Sequence, residues 1–528
     1  MTTDHRPSPP RAGRQDGFTL VELLVVIVIL GVLAAIVVFS VRGVGDKGRR
    51  SAIAADAATL RTAEESYCAK HGRYGTVDDL KADGLLTGEP VYTMVEVGEE
   101  NRCGRGEKSS FVLHDTSTAT ERGADAVPAG TNPADLAVDE KANRVYVVST
   151  GSNDVTVIDG RTDTPIGAPI SVSGAVSDPT RIAVNPGTGQ VYVGGTGGVA
   201  VIDTAHGNQV TRVSGYTTTV AGLAVSPENG DVYVGGGTVG SSAVAYILAG
   251  SSSATPIPLP LAGVVPVGAG MDFAFDPVHH AVYLAKANLG LGDGEAAGIG
   301  LFGISAQTHT ATVVARYPTR TSCNLANAGD VLVGGSARGS IAVDPGRNLV
   351  YLLARRCVPN PANPSGKWAT VATTIAVNPA DGSSTPINDL VGSPLLPFAV
   401  LHNAAAGSVY VYSGGGTNCG GSGGRIDRIV GTTVTGQASV CGTSSAPGNQ
   451  AHKTVVLKNF NRVFFAQQSG DGGPGGLGSA DGGTLLTQAP LGAPRQFGAL
   501  AADNTTGKVY AVDPVNGTVA VFRTGSAA

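Results

Sequence analysis

The sequence predicts a multidomain protein: an N-terminal transmembrane α-helix, a small α+β head, then an all-β propeller of eight blades, with seven as the alternative count. Three observations carry this. Phe18 to Val41 is almost wholly apolar and long enough to span a bilayer as a helix. Ser51 to Lys70 places its apolar residues at three- and four-residue steps, the period of a helix with one packed face. From Asn132 onward a short unit, two apolar strands around a tight turn, returns again and again, and such self-similarity marks a repeat architecture.

Composition agrees. The chain has 528 residues, enough for two or more domains, with 76 glycines, 5% aromatic residues and one tryptophan. That profile suits many short strands joined by tight turns. A net charge of −5, with 15% charged residues, gives no reason to expect nucleic acid as a partner.

Residues 1–17 form a Pro- and Arg-containing leader, MTTDHRPSPPRAGRQDG. Residues 18–41 form the apolar helix, interrupted by one charge, Glu22, and a carboxylate in a membrane span is costly enough to imply a purpose. A secretory signal peptide would have a shorter apolar core and a small-residue cleavage site after it, which Phe39-Ser40-Val41-Arg42 does not supply. Arg6, Arg11 and Arg14 before the helix face Arg42, Lys47, Arg49 and Arg50 after it, so the flanking charges do not fix its orientation.

Gly17, followed by Phe18-Thr19-Leu20-Val21-Glu22, closely resembles the processing site of type IV pilins and type II secretion pseudopilins, the prepilin-type cleavage and methylation motif. The resemblance implies cleavage between Gly17 and Phe18 by a prepilin peptidase, N-methylation of Phe18, and an assembly role for Glu22. In a fibre of packed helices the Glu22 carboxylate would pair with the free amine of Phe18, in the same subunit or its neighbour. The implied partners are the peptidase, other pilin or pseudopilin subunits along the helix, and the lipid bilayer. The implied location is the cytoplasmic (inner) membrane, crossed once, with the C-terminal domains on the extracytoplasmic side or in a surface fibre. A plain signal anchor is the alternative, and it leaves Gly17 and Glu22 without a reason.

Residues 42–114 read as the head. Three glycines in Arg42 to Gly48 weaken the helix, which resumes at Ser51 and stops at His71-Gly72. Thr76 is an N-cap candidate for a short helix over Val77 to Asp83. Val91 to Val97 and Ser110 to His114 read as strands. HGRYGTVDDLKADGLL resembles the loop and short helix of pseudopilins of the major type, which implies a helix packed on a small antiparallel sheet. Residues 115–131 are polar and without period, and read as a linker.

Residues 132–528 carry the repeats, marked by Tyr146, Tyr192, Tyr233, Tyr283, Tyr351, Tyr410, Phe464 and Tyr510. In the second copy Ile182-Ala183-Val184 is a strand, Asn185-Pro186-Gly187-Thr188-Gly189 a turn, and Val191-Tyr192-Val193 the returning strand. Val199 to Ile202 and a stretch near Gln209 to Ser214 complete four strands. One such sheet cannot bury both faces alone, so neighbours stack and closing the ring leaves only short edges. The pattern resembles YVTN-type β-propeller repeats, which implies a module displayed on an envelope or surface protein, with an unknown ligand or protein partner. The last copy ends one strand short, at Thr518 to Phe522. An exposed edge invites aggregation, so an earlier segment, Phe111 to Thr116 or the residues just after it, is expected to cover it.

Six cysteines, Cys68, Cys103, Cys323, Cys357, Cys419 and Cys441, permit fifteen pairings. Proximity favours 68–103, 323–357 and 419–441, and six free buried thiols are the alternative. No catalytic, cofactor or metal site is expected. Gly420 to Gly424 matches G-x-S-x-G, but in a glycine run rather than a strand–turn–helix. Asp471 to Gly483 reads as a flexible loop. His279-His280 reads as a pair of turn histidines, and Asp139, Asp276, Asp344 and Asp503 as turn aspartates. The innermost strands (LAVD, IAVN, LAVS, FAFD, IAVD) carry no His, Glu or Arg for an axial active site. The expectation is therefore a minor, non-enzymatic pilin-like subunit. An envelope-anchored propeller enzyme, a lyase or hydrolase using the helix only as an anchor, is the alternative.

Overall fold

The structure, a computed structural model, describes residues 58–75, 77–87, 93–97, 103, 111–115, 119–121, 126–238, 241–260, 272–286, 294–319, 331–332, 341–359, 368–388, 396–414, 419–441, 454–470, 473–483, 485, 487–491 and 497–524. Among these no helix is long and apolar enough to cross a membrane, and Phe18 to Val41 lies outside them.

The described part of the head begins with helix α1, residues 58–71, closed by Gly72 in the left-handed region (φ 71°) with its N–H on the Cys68 carbonyl. Helix α2, Val77–Ala82, follows, and Thr76 lies outside the described residues. Leu60, Ala63 and Tyr67 of α1 pack on Leu80 and Leu86. Strands β1 (Thr93–Val97) and β2 (Phe111–Asp115) form an antiparallel pair. Cys68 and Cys103 are joined by a disulfide, their Cα atoms 5.7 Å apart.

The rest of the described chain is a ring of eight antiparallel sheets. Blade one shows the pattern: an inner strand, Pro133–Asp139, then Arg144–Ser149, Asp154–Asp159 and a short outer strand, Thr164–Pro165. In its second strand five of six residues are buried, because both faces of each sheet meet a neighbouring blade. The apolar cores lie between blades, one for each of the eight junctions. The eighth junction joins the last blade to the first through Tyr510, Val512 and Val519 packed on Val145, Val147 and Ile158.

The segment read as a linker supplies the missing outer strand of blade eight. Ala119–Glu121 pairs with Phe522 to Thr524, and Val127–Pro128 with Thr518 and Val519. Phe111–Asp115 stays with β1 in the head. The expectation that the residues just after Phe111 to Thr116 cover this edge is met, and part of the stretch read as a linker is therefore strand: a polar, aperiodic segment becomes a strand where a neighbouring edge offers unpaired N–H and C=O groups.

The end of the ring bearing the turns between first and second strands, the turn face, is uniform. The opposite face is not. In blades four to seven the strands run on past the common core on that face, closing at Gly294 opposite Thr319, Pro359 opposite Trp368, Cys419 opposite Cys441, and Gly470 opposite Gly473. Asp471 to Gly483, read as a loop, is therefore mostly strand: Gly473–Asp481 pairs with Arg462–Gly470. Its glycines give no alternation to read, and the partner strand supplies the order.

Candidate functional site

The inner strands end in residues chosen for turn chemistry. Asp139, Asn185, Asp276, Asp344, Asn403 and Asp503 are buried, and each accepts a backbone N–H two or three residues on, at 2.9 to 3.2 Å. In blade two the turn also needs Gly189, whose φ of 71° is costly for other residues. In blades five, six and eight the second-strand tyrosine also reaches out of its own sheet. Tyr351 donates to the Gly431 carbonyl and Tyr410 to that of Gly482, both at 2.8 Å, and Tyr510 to that of Gly160 at 3.5 Å. Each bond reaches the following blade, so the marker latches neighbours together. Burial raises the pKa of all three phenols, which keeps them protonated as donors.

On the axis, the inner strands of blades three to six and the first turn of blade seven line a solvent-open cavity of about 570 Å³. Its walls include Phe273, Phe275, Val343 and Leu401, with two basic residues, His402 and Lys458. His402 is the sixth blade's counterpart of Val343, on Leu396–Asn403. Its side chain is 12% exposed, and Nε2 lies 3.8 Å from Asp344 Oδ1, beyond hydrogen-bond reach. Burial lowers the imidazole's pKa; Asp344 opposes this, while Lys458 and Arg347 reinforce it. Neutral imidazole is the resulting form at neutral pH. Asp344 is engaged by Arg347, whose Nη1 stands 2.7 Å from Oδ2. Lys458 is exposed at the rim, held by its backbone: its N–H donates to Asn504 Oδ1, and its carbonyl accepts from Asn403 Nδ2.

His402 corrects the sequence reading of inner strands without histidine, and Lys458 adds a cation from the turn after the inner strand of blade seven. Both were visible as departures from the repeat: histidine where the other copies have valine, phenylalanine or alanine, and lysine where blades two to five have proline.

His279 and His280 do lie in a turn, and both are engaged by carboxylates. His279 Nδ1 is 2.8 Å from Asp276 Oδ2, and His280 Nδ1 bonds Glu228 of the preceding blade. Nearby, His309 pairs with Asp231 at 2.9 Å and stacks on Tyr246. Among the described residues no group of three or more His, Cys, Asp or Glu could hold a metal ion. Gly420 to Gly424 lie within strand Cys419–Val430, with no helix after Ser422. Backbone register sets Cys419 opposite Cys441 and Cys357 opposite Thr370, and Cys323 lies outside the described residues. Gly17, Phe18 and Glu22 also lie outside them.

Fold and motif together define a chain with a prepilin-type N-terminus joined to an eight-bladed β-propeller. A model of the prokaryotic N-terminal methylation motif matches residues 13–38. The type II secretion system core protein G of Klebsiella pneumoniae is 45% identical over 65 residues, 12% of this chain and 46% of that protein. The protein of the same name from Pectobacterium carotovorum subsp. carotovorum is 46% identical over 70 residues, 13% of this chain and 45% of that one. The chain spans about half the length of the curated relatives it matches. Among solved structures, the Dos1 propeller is similar with a TM-score of 0.49 and 11% identity, covering 78% of this chain and 96% of that one. A hydrazine synthase of Kuenenia stuttgartiensis is similar with a TM-score of 0.44 and 15% identity, covering 76% and 98%.

Proposed function

We propose that this chain is a minor pilin-like subunit of a type II secretion-like or type IV pilus fibre, and that it displays the propeller as a binding module outside the cytoplasmic membrane. The observation that carries the reading is the match of residues 13–38 to the methylation motif. The similarity to core protein G at the N-terminus supports it. A prepilin peptidase removes residues 1–17, and the helix from Phe18 packs among other subunits.

The topology supports a display role. The chain reaches the propeller at Ala119, opposite Thr524, on the turn face, while the extended strands of blades four to seven rise from the opposite face. The tether and the elaborated surface are therefore on opposite ends of the ring. A bulky propeller would crowd a fibre if every subunit carried one, which favours a minor role.

Glu22→Ala tests the assembly half. A lone buried charge costs several kcal/mol, so an unmatched Phe18 amine should disfavour packing. Membrane insertion is expected to persist while incorporation into sheared fibres falls, with wild-type subunits supplied alongside. Equal incorporation of mutant and wild type would refute the pairing.

The second reading, a propeller enzyme, has one observation in its favour: His402 beside Asp344 in the axial cavity.

A further inference from the structure

We propose that the axial cavity binds a small organic carboxylate with an apolar or aromatic body, its charge held at Lys458 and His402 and its body against Phe273 and Phe275. The inference rests on the propeller being the chain's binding module, and it names the chemistry of what is bound.

About 570 Å³ falls in the range of small-molecule sites, which are mostly apolar with a few convergent polar groups. Phe273 and Phe275 come from one inner strand, Asp272–Asp276, and give the apolar wall. A ligand without an apolar body would leave that wall wet.

Charge then selects the ligand. The ionisable groups at this site are Asp272, Asp344, Arg347, His402 and Lys458. Arg347 is matched by Asp344 at 2.7 Å. Asp272 has interactions of its own. His402 is kept neutral by burial and by the positive charges of Lys458 and Arg347. Lys458 makes no ion pair with a described residue, so its ammonium at the rim is the cation open to an incoming anion. One such cation in a partly apolar cavity, with the Asp272 carboxylate also on the wall, suits a monoanion rather than a more highly charged group. A dianionic phosphate would bring a second charge to lie beside Asp344 and would gain little from the phenylalanines.

His402 adds a signature. An anion beside the imidazole favours its charged form, so binding raises the pKa that the empty cavity holds down. By linkage the complex takes up a proton, and affinity grows as pH falls through the range where the imidazole titrates, while the carboxylate itself stays ionised.

The test uses the full chain held in amphipol, with benzoate, benzyl alcohol and inorganic phosphate as probes, read by calorimetry and by the imidazole NMR signals. The His402 signal is assigned from its loss in His402→Gln. Benzoate is expected to bind about fivefold tighter than benzyl alcohol, the equivalent of about 1 kcal/mol, the upper end for one exposed ion pair, and tighter than phosphate. Lys458→Met should remove that advantage and Lys458→Arg should keep it; Lys458 is exposed, so both variants retain the fold, checked by melting. His402→Gln should flatten the pH dependence. Equal binding of benzoate and benzyl alcohol, phosphate binding as tightly as benzoate, or an unchanged benzoate affinity in Lys458→Met would overturn the inference. Fibre incorporation is measured separately, so failure here leaves the assembly reading standing, and the reverse.

Discussion

Closure of the ring depends on a buried ion pair that joins the two ends of the propeller. Lys508, in the second strand of blade eight, places Nζ 2.8 Å from Asp163 Oδ1 in the outer turn of blade one, and it also donates to the Gly160 carbonyl. The two side chains are 3% and 9% exposed. Water therefore screens the pair little, and removing one partner strands the other charge in a poorly solvated place. Lys508→Met is expected to cost about 3–5 kcal/mol, the range for breaking a buried pair from one side. Arg523 Nη2, at 4.0 Å from Asp163 Oδ2, recovers only part of this. Asp163→Asn should cost less, because asparagine tolerates the left-handed φ of 56° at that position and can still accept a hydrogen bond from Lys508. The double variant should lose no more than Lys508→Met alone, because with the lysine gone the carboxylate is better replaced. Urea denaturation of the four proteins of this cycle, followed by near-UV circular dichroism, gives the coupling energy. Strictly additive losses, or a loss below about 1 kcal/mol for Lys508→Met, the scale of an exposed pair, would refute the claim that this contact closes the ring.

Other outcomes follow from single contacts. Tyr410→Phe removes the 2.8 Å bond to Gly482 and leaves that carbonyl only the 3.5 Å bond from Arg428 Nη1, so a loss of about 1 kcal/mol is expected by urea denaturation. Glu64 lies fully buried on α1, accepting from the Gly75 N–H at 3.0 Å; burial pushes its carboxyl up to about 7, with Gly75 opposing and Asp79 and Glu65 adding to the rise. The folded head then holds a proton that the unfolded chain releases near its ordinary value of 4.5, so stability falls as pH rises from there to about 7, by about 3 kcal/mol in all. Glu64→Gln should abolish that slope, seen as pH-independent protection factors of the α1 amides, that is, exchange rates divided by the intrinsic rate at each pH. Val127→Pro leaves blade eight without the Val127 N–H opposite Val519 and should loosen the outer edge, read as faster exchange at Val519 and Val521.

Much of the fold was legible because turn chemistry is local. Asp139, Asn185 and Asp503 sit where a tight turn needs an accepting side chain, and the tyrosines sit two residues into the strand that returns. Eight copies could thus be counted without any partner strand in view. Glu64 fell on the helical face shared with Leu60 and Tyr67, although its burial could not be told from its type. What the sequence concealed depends on distant partners. Ala119–Glu121 has no alternation of its own and becomes a strand only because Phe522 to Thr524 present an edge. The glycines of Gly473–Asp481 are ordered by the strand opposite. His402 and Lys458 come together only when blades six and seven stand side by side, and each reads in the sequence as one irregular copy.

The central claim, a propeller carried on a processed pilin-like helix, is tested most directly by intact-mass and N-terminal analysis of the protein recovered from membranes and from sheared surface material. The account predicts a chain that begins at Phe18 with one added methyl group on its amine, present in both fractions. A chain that retains Met1, or one cut near Ser40, would contradict it.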